Sequence, residues 1–585
     1  MTDEDLFDFT GIDFEALEED DDGLIELDET QLAEFLRKHK DKGLEPIPYD
    51  LKVTKKRIAC VDTETDPFAI DFVVQPFTLG FRTDNLYIDF WGADCVDKFF
   101  QWLATQEDEY LIYAHNGGKF DFFFFLKYLD IKHAPMIMNS RLVKIFFQGQ
   151  EFRDSFAIIP EALGNYQKDS IDYALFVPSK RERHKAAIRK YQEHDCDYLY
   201  DLVTAFHARF GDKLTIASAS LNMLRSYHGF QQFNSDKVDE KFRHYYYGGR
   251  NQCFEVGKLF PSKGKEWMMI DRNSMYPSVM RDELHPISSS FELQEDIDDD
   301  TDFAYIVAHN KGALPTRSNT GGLDFNVKYG TFFATIHEIR AGLETGTLEI
   351  ERVRHAWKFE KKSTFADFID TYYLSRLQAK RDGDKIRDLF DKRVMNSSYG
   401  KFALNPRKFK QWIMTMGEIP QPQMTLDNPE GWCLDTQSGD IFIWSRPTPR
   451  KRGFYNVATA ASITGAARAN LLRNIALSDR PIYCDTDSII CEGFRGELDD
   501  SRLGGWKIEA VGDCAAIAGK KLYAVFNKDE AIKRASKGVN LSPAEILEVC
   551  DGREILYKNP VPKFHLDGTA SFIHRRVNKT GGKQL

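Results

Sequence analysis

Short apolar runs that end in acids punctuate this chain. Arg57-Ile58-Ala59-Cys60-Val61 runs into Asp62-Thr63-Glu64, and Trp267-Met268-Met269-Ile270 runs into Asp271. Such runs predict buried strands that deliver side chains at their ends. Pro481-Ile482 and Ile489-Ile490 flank a polar centre holding Asp485 and Asp487. That pattern predicts a hairpin with its acids at the turn. Helical periodicity runs from Thr364 to Tyr399, in a stretch rich in Lys and Arg. Lys392, Asn396 and Tyr399 fall on one stripe there, and Lys380 is expected to extend it. Tyr191 and Asp195 lie one turn apart on another predicted helix, and Asp121 heads the apolar run Phe122–Leu126 at a predicted helix start. Residues 291–360 and 405–449 are rich in turn formers and read as loop-rich inserts with scattered short strands.

Length and composition narrow the class. The 585 residues suffice for roughly three to five domains. A hydrophobic content of 42% and a charged content of 29% exclude a wholly disordered or fibrous chain. No apolar run reaches the ~18 residues of a membrane span, so none is expected. Nine cysteines without CxxC spacing predict reduced thiols in a cytosol-like compartment. The net charge of −12 argues against a nucleic-acid partner until its distribution is read. Residues 1–36 hold 15 Asp and Glu and no Lys or Arg, which leaves the remainder weakly positive and able to carry a basic groove. Residues 1–50 read as an acidic tail in which Leu6, Phe7, Phe9, Ile12, Phe14 and Leu17 interleave with acids. A solubilising tail and a segment that folds onto a partner both fit. Thr30–Lys40 predicts a short helix capped by Thr30.

The acids carry the candidate chemistry. Asp62 and Glu64, two apart on a strand, share a face. Four acids from three segments (Asp62, Glu64, Asp121, Asp195) are costly to gather unless cations balance them. Hard divalent ions with oxygen ligands do so. Two such ions about 3.5–4 Å apart activate a water and stabilise a leaving alkoxide, which is phosphodiester hydrolysis. Tyr191 is placed to orient that water. Asp271 and Asp487, on adjacent strands, predict a second ion site, where a nucleoside triphosphate brings oxygens of its own. The cations of Lys380 and Lys392 suit a triphosphate, Tyr399 offers a flat surface to a base pair, and Gly400 permits close approach. Asn-Ser-Ser-Tyr-Gly is a poor helix interior, so its presence favours function. In Tyr246-Tyr247-Gly248-Gly249 the glycines let backbone approach a phosphate, with Arg250 and Tyr245 expected to add charge and stacking.

Taken in order, Asp62-x-Glu64, Asn116-x-x-x-Phe120-Asp121 and Tyr191-x-x-x-Asp195 resemble the proofreading exonuclease motifs of family B DNA polymerases. Asp271-Arg272-Asn273-Ser274-Met275-Tyr276-Pro277, Lys392 to Gly400, and Tyr483 to Ser488 resemble motifs A, B and C of that family. The resemblance implies an α/β and α+β multidomain fold: an RNase H-like 3′–5′ exonuclease domain plus a right hand of palm, fingers and thumb with two inserts. It implies two Mg²⁺ per site, with Mn²⁺ as an alternative. Asp271 and Asp487 are then the main polymerase ligands with Asp485 in support, and Asp62, Glu64, Asp121 and Asp195 the exonuclease ligands. Tyr276, beside Met275, is implied as the gate that excludes a 2′-hydroxyl, with Lys380, Lys392, Asn396 and Tyr399 at the nucleotide. Asn116, Phe120, Ser155 and Lys168 are implied on single-stranded DNA, although Phe156 replaces the usual leucine after Ser155. Tyr246, Gly248, Gly249 and Arg250 are implied on the template, and Lys521 and Tyr523 on the primer end with Lys520 assisting.

Inserts in these two places are typical of the protein-primed subgroup, and Ala114–Phe122, Ala461–Arg468 and Tyr483–Cys491 look most like the tectivirus-type phage enzymes. The implied division is a tail (1–50), exonuclease (51–235), palm (236–290 and 450–530), first terminal-protein region (291–360), fingers (361–404), second terminal-protein region (405–449), and thumb with a basic end (531–585). The implied partners are template and primer DNA, dNTPs, a terminal priming protein and a single-stranded DNA-binding protein, in a host cytoplasm and without a membrane. Two rivals stay open: a family B enzyme that starts chains without a protein primer, and a non-catalytic DNA-binding scaffold.

Overall fold

The computed structural model describes residues 46–66, 74–161, 171–233, 235–318, 321–438, 440–448, 455–559, 562–565, 570–579 and 581–584. The acidic tail up to residue 45, with the helix predicted at Thr30–Lys40, and Lys168 lie outside them.

The first acid-ended run forms strand β1 (Arg57–Thr65). Ala59, Cys60 and Val61 are buried on both faces, after which burial alternates and leaves Asp62 and Glu64 partly open. β1 sits in a seven-stranded sheet with β2 (Pro76–Arg82), β3 (Tyr87–Trp91), β4 (Tyr110–Ala114), β5 (Met136–Met138), β6 (Arg141–Phe147) and β7 (Gln150–Asp154). The order is β3-β2-β1-β4-β7-β6-β5. β1, β4 and β7 run parallel and the flanking pairs antiparallel. A core of Phe99, Phe100, Phe125, Phe147 and Phe152 fills one face. Helix α1 (Lys185–Phe210) packs on β1 and β2 from the other.

A second, wholly antiparallel sheet lies at the centre. Its strands are β8 (Asn251–Cys253), β9 (Trp267–Arg272), β10 (Tyr483–Asp485), β11 (Ser488–Cys491) and β12 (Trp506–Gly512), in the order β12-β9-β11-β10-β8. Two helices form an antiparallel hairpin beside it: α2 (Ala366–Asp382) and α3 (Lys385–Phe402). Gly383 ends α2 in the left-handed region (φ 71°), and the Asp384 side chain caps α3 through the Arg387 N–H at 3.0 Å. The expected single stripe from Lys380 to Tyr399 is therefore corrected. Lys380 lies on α2 and the other residues on α3, because the glycine reverses the chain between them. Arg376 with Asp388 (2.7 Å) and Arg387 with Ser375 (3.0 Å) zip the hairpin. One continuous core runs from Phe206 and Phe210 of α1 through Phe390 of α3 to Ile270 and Ile489 of the central sheet.

Residues 291–360 are more regular than expected. Phe291–Gln294, Phe303–Asn310, Tyr329–Thr335 and Leu348–Phe359 make a four-stranded antiparallel sheet around Phe242, Phe303, Trp357 and Phe359. Its longest strand spends its outward positions on Glu349, Glu351 and Arg352, which dilutes the apolar alternation in the sequence. Lys410–Met416, Cys433–Ser438 and Ile441–Pro447 make a three-stranded sheet in the second insert. Helix α4 (Val457–Ala476) is almost wholly buried, and its Gly465 lies against Thr335. Beyond the central sheet, Cys514–Gly519, Leu522–Asn527 and Glu530–Ser536 pair with one another and with Gly257–Leu259. Among the described residues no helix is long and apolar enough to cross a membrane. None of the nine cysteines is in a disulfide.

Candidate functional site

Strand β1 and helix α1 build the first site. Gln192, fully buried on α1, donates to the Asp62 carbonyl (3.1 Å) and accepts from Thr78 (2.9 Å). That pins the helix so that Asp195 and Tyr191 approach the open edge of β1. Asp62, Glu64 and Asp195 bring carboxylate oxygens within 4.8 Å of one another. Two oxygens that share one divalent ion at about 2.0–2.6 Å lie no more than roughly 5 Å apart, so this trio fits a hard cation. Burial raises the Tyr191 phenol, and Tyr173 adds to it from 3.3 Å. Asp121 lies beside this trio, bonded to Thr63 of β1 between Asp62 and Glu64. It begins a 3-10 helix (Asp121–Tyr128), is nearly fully buried, and accepts a hydrogen bond from Thr63. Burial pushes its carboxyl up to about 7, and Thr63 acts in the opposite sense.

The predicted single-strand residues Asn116, Phe120 and Ser155 follow the ends of β4 and β7, which run parallel to β1. Asn116 takes a left-handed turn (φ 62°) and accepts from Arg141 at 2.8 Å. Arg141 also holds Asp154 (2.5 Å) and stacks on Phe156 at 4.1 Å. Ser155 is buried, with its hydroxyl 3.0 Å from His115. Phe120 packs edge-on to Phe124 and to Phe564 of the C-terminal region.

Backbone register builds the second site. Asp271 of β9 faces Ser488 of β11, and the Arg272 N–H donates to the Asp487 carbonyl at 2.7 Å, so Asp271 and Asp487 lie side by side. Thr486, at φ 52°, makes the turn between β10 and β11. Gly249 packs so closely there that a Cβ would lie 2.5 Å from the Thr486 Oγ1 and 3.0 Å from the Tyr276 phenol oxygen. This is why the loop from Tyr246 needs a glycine at that point. Tyr276 and Tyr399 stack with centroids 4.0 Å apart. Lys392, Asn396 and Tyr399 share a partly open face of α3, and Lys380 is exposed on α2. Met275 and Tyr523 are buried in the core. Asp485 is held by the Tyr483 hydroxyl and Thr486 (3.2 Å each), with the Lys521 ammonium at 3.6 Å. Burial raises the Asp485 carboxyl and Lys521 opposes it. Lys507 of β12, in register with Asp271, brings its ammonium to 3.9 Å from that carboxylate.

Comparisons with known proteins decide the family. Residues 172–492 match the family described as DNA polymerase type B, organellar and viral. The DNA-directed DNA polymerase of Enterobacteria phage PRD1 is 40% identical over 561 residues, which span 90% of this chain and 99% of that one. The chain belongs to the type B DNA polymerases of organelles and viruses. The DNA polymerase of Bacillus phage Nf is 24% identical and covers 74% of this chain and 80% of its own. The structure of phi29 DNA polymerase complexed with primer-template DNA shares the fold. Its TM-score is 0.64 at 16% identity, over 89% of this chain and all of that one. The family match takes in Asp195, Asp271, Lys392, Asp485 and Asp487, and it leaves out Asp62, Glu64 and Asp121.

In this type B polymerase two expectations for the Tyr246 loop are corrected by burial. Arg250 is 3% exposed, stacks on Phe325 (4.3 Å) and bonds Gln252, while Tyr245 lies among Phe303 and Phe333. Both brace the loop from within instead of offering charge and stacking to a strand. Residues that the sequence reading missed complete the support. Arg468, buried on α4, donates to the carbonyls of Tyr247 (2.6 Å) and Gly248 (2.8 Å) and pairs with Glu338 at 2.7 Å. Its signal was an arginine in a helix otherwise made of small buried residues, a position that demands partners. His115, Arg141, Tyr173 and Lys507 carried no local signal, since their partners lie on other elements.

Proposed function

We propose that this chain is a replicative DNA-directed DNA polymerase, a nucleotidyltransferase, with a 3′–5′ exonuclease in its seven-stranded domain. The carrying observation is the register that sets Asp271 beside Asp487, next to the stacked Tyr276 and Tyr399. In this reading Asp271 and Asp487, with Asp485, hold Mg²⁺ for synthesis. Tyr276 gates the sugar, Lys380, Lys392 and Asn396 bind triphosphate, and Lys521, with Tyr523 buried behind it, steadies the primer end. The trio of Asp62, Glu64 and Asp195, with Asp121 drawn in, holds Mg²⁺ for trimming. The ions supply charge neutralisation and a nucleophile of lowered pKa. Residues 51–235 are then the exonuclease, 236–290 and 450–530 the palm, 361–404 the fingers and 531–585 the thumb. DNA grip comes chiefly from phosphate contacts and weakens with salt. Extension of a primed template with Mg²⁺ and dNTPs tests the reading. Asp271→Ala and Asp487→Ala should remove synthesis and spare trimming, and Asp62→Ala should do the reverse. Loss of both activities from one substitution in a folded protein rules out separate sites.

The 40% identity to the PRD1 enzyme and the two inserts (291–360 and 405–449) support initiation on the hydroxyl of a separate terminal protein, with strand displacement, in a host cytoplasm. An unprimed circular template without terminal protein should give no product. Robust product would favour initiation that needs no protein primer.

A further inference from the structure

The two flanks of α3 on either side of the Lys392, Asn396 and Tyr399 stripe are fastened to the seven-stranded unit by charge. Asp391 and Arg393 flank Lys392 in sequence, and both are fully buried. Asp391 pairs with Arg209 of α1. Arg393 pairs with Glu161, which is 7% exposed and lies six residues beyond Ser155. The Glu161 carbonyl lies 2.8 Å from the His115 Nε2, and the His115 Nδ1 lies 3.0 Å from the Ser155 Oγ. His115 in turn precedes Asn116, which Arg141 holds. A contact chain therefore runs from the helix that carries the nucleotide residues to the residues around the first carboxylate trio.

A buried ion pair is a poor source of stability, because desolvation offsets most of its attraction, and register is its best-attested role. Phe206 and Phe210 against Phe390 already dock α3 through apolar contact. What the Arg393–Glu161 pair adds is direction. It fixes Glu161, and with it the carbonyl that orients His115. We infer that Arg393 is a positioning residue for the single strand in the trimming site. Through Glu161 and His115 it sets the cradle in which that strand lies. The inference rests on the exonuclease reading above.

The test uses the full chain with Mg²⁺ and a 5′-labelled single-stranded oligonucleotide. The paired substitution Arg393→Met with Glu161→Met removes both charges of the pair together. KM for the strand should rise on the order of tenfold, with kcat and matched-primer extension within about twofold of the parent. On a mispaired primer, the dNTP concentration at which synthesis balances trimming should fall. Arg393→Lys, which keeps the charge and shortens the reach, should give an intermediate KM. The swapped pair Arg393→Glu with Glu161→Arg should recover most of the parent value. An unchanged KM in the Met pair overturns the inference. So does a KM rise matched by equal losses in extension and melting temperature, since that assigns the pair to stability alone. A parent protein that does not trim overturns the exonuclease reading instead.

Discussion

In the seven-stranded unit, Asp62, Glu64 and Asp195 bring their oxygens within 4.8 Å of one another. In the central sheet, Asp485 turns to Tyr483, Thr486 and Lys521, and Asp271 lies beside Lys507. The first site gathers three carboxylates around one point, and in the second an ammonium group lies close to each of two acids. The difference has a plain electrostatic reading. Crowded carboxylates hold a strong field for a divalent cation and carry that affinity in the protein itself. Acids interleaved with lysines hold a weaker one. Such a site gains its ions together with an anionic ligand, and a nucleoside triphosphate is one.

Each substitution that follows pushes on one side of that comparison. Gly249→Ala should act most strongly, because its methyl meets the Thr486 Oγ1 at 2.5 Å and the Tyr276 oxygen at 3.0 Å. Primer extension should fall on the order of a hundredfold while single-strand trimming stays level. An equal fall in both would join the two sites mechanically. Asp121→Asn tests how burial is handled in the first site. The wild-type carboxyl is raised to about 7 in the fold from an ordinary value of 3.8, so its stability contribution is complete below about pH 4. It is lost as pH rises through 7. In chelator, the variant should lack this decline, on the order of a few kcal/mol, in denaturant titrations between pH 4 and 8. Parallel pH curves for the two proteins would contradict the burial account.

Gln192→Ala removes the bonds to Thr78 and to the Asp62 carbonyl. It should cost about 1–3 kcal/mol in chemical denaturation and slow trimming more than synthesis. Lys507→Met is the mildest change, since the side chain is 44% exposed and its contact with Asp271 is long. The Mg²⁺ concentration for half-maximal synthesis should drop two- to threefold, roughly what an exposed pair is worth, with no shift in that for trimming. A rise would mean that the ammonium assists the ion instead of competing with it.

Much of this was legible from local pattern. The apolar runs before Asp62 and Asp271, the hairpin around Asp485 and Asp487, and the helix bearing Tyr191 and Asp195 all appear as expected. Each is a short-range signal in which period and terminal residue lie within one element. What escaped depends on partners far along the chain. Gly383 sits inside a basic helical stretch, and only the packing of α2 on α3 makes it a reversal. The sheet across 291–360 hid behind charges on its open face. The depth at which Asp121 is buried was not legible either. Arg250 read as a surface cation for the same reason, and Arg468, Lys507 and Arg393 gain their meaning from neighbours more than a hundred residues away.

Manganese binding followed by electron paramagnetic resonance tests the contrast between the two sites most directly. Without nucleotide, the tightest sites should disappear in Asp62→Ala and persist in Asp271→Ala. A further set that depends on Asp271 should emerge only when dNTP is added. Tight binding that Asp271→Ala abolishes in the absence of nucleotide would contradict the account.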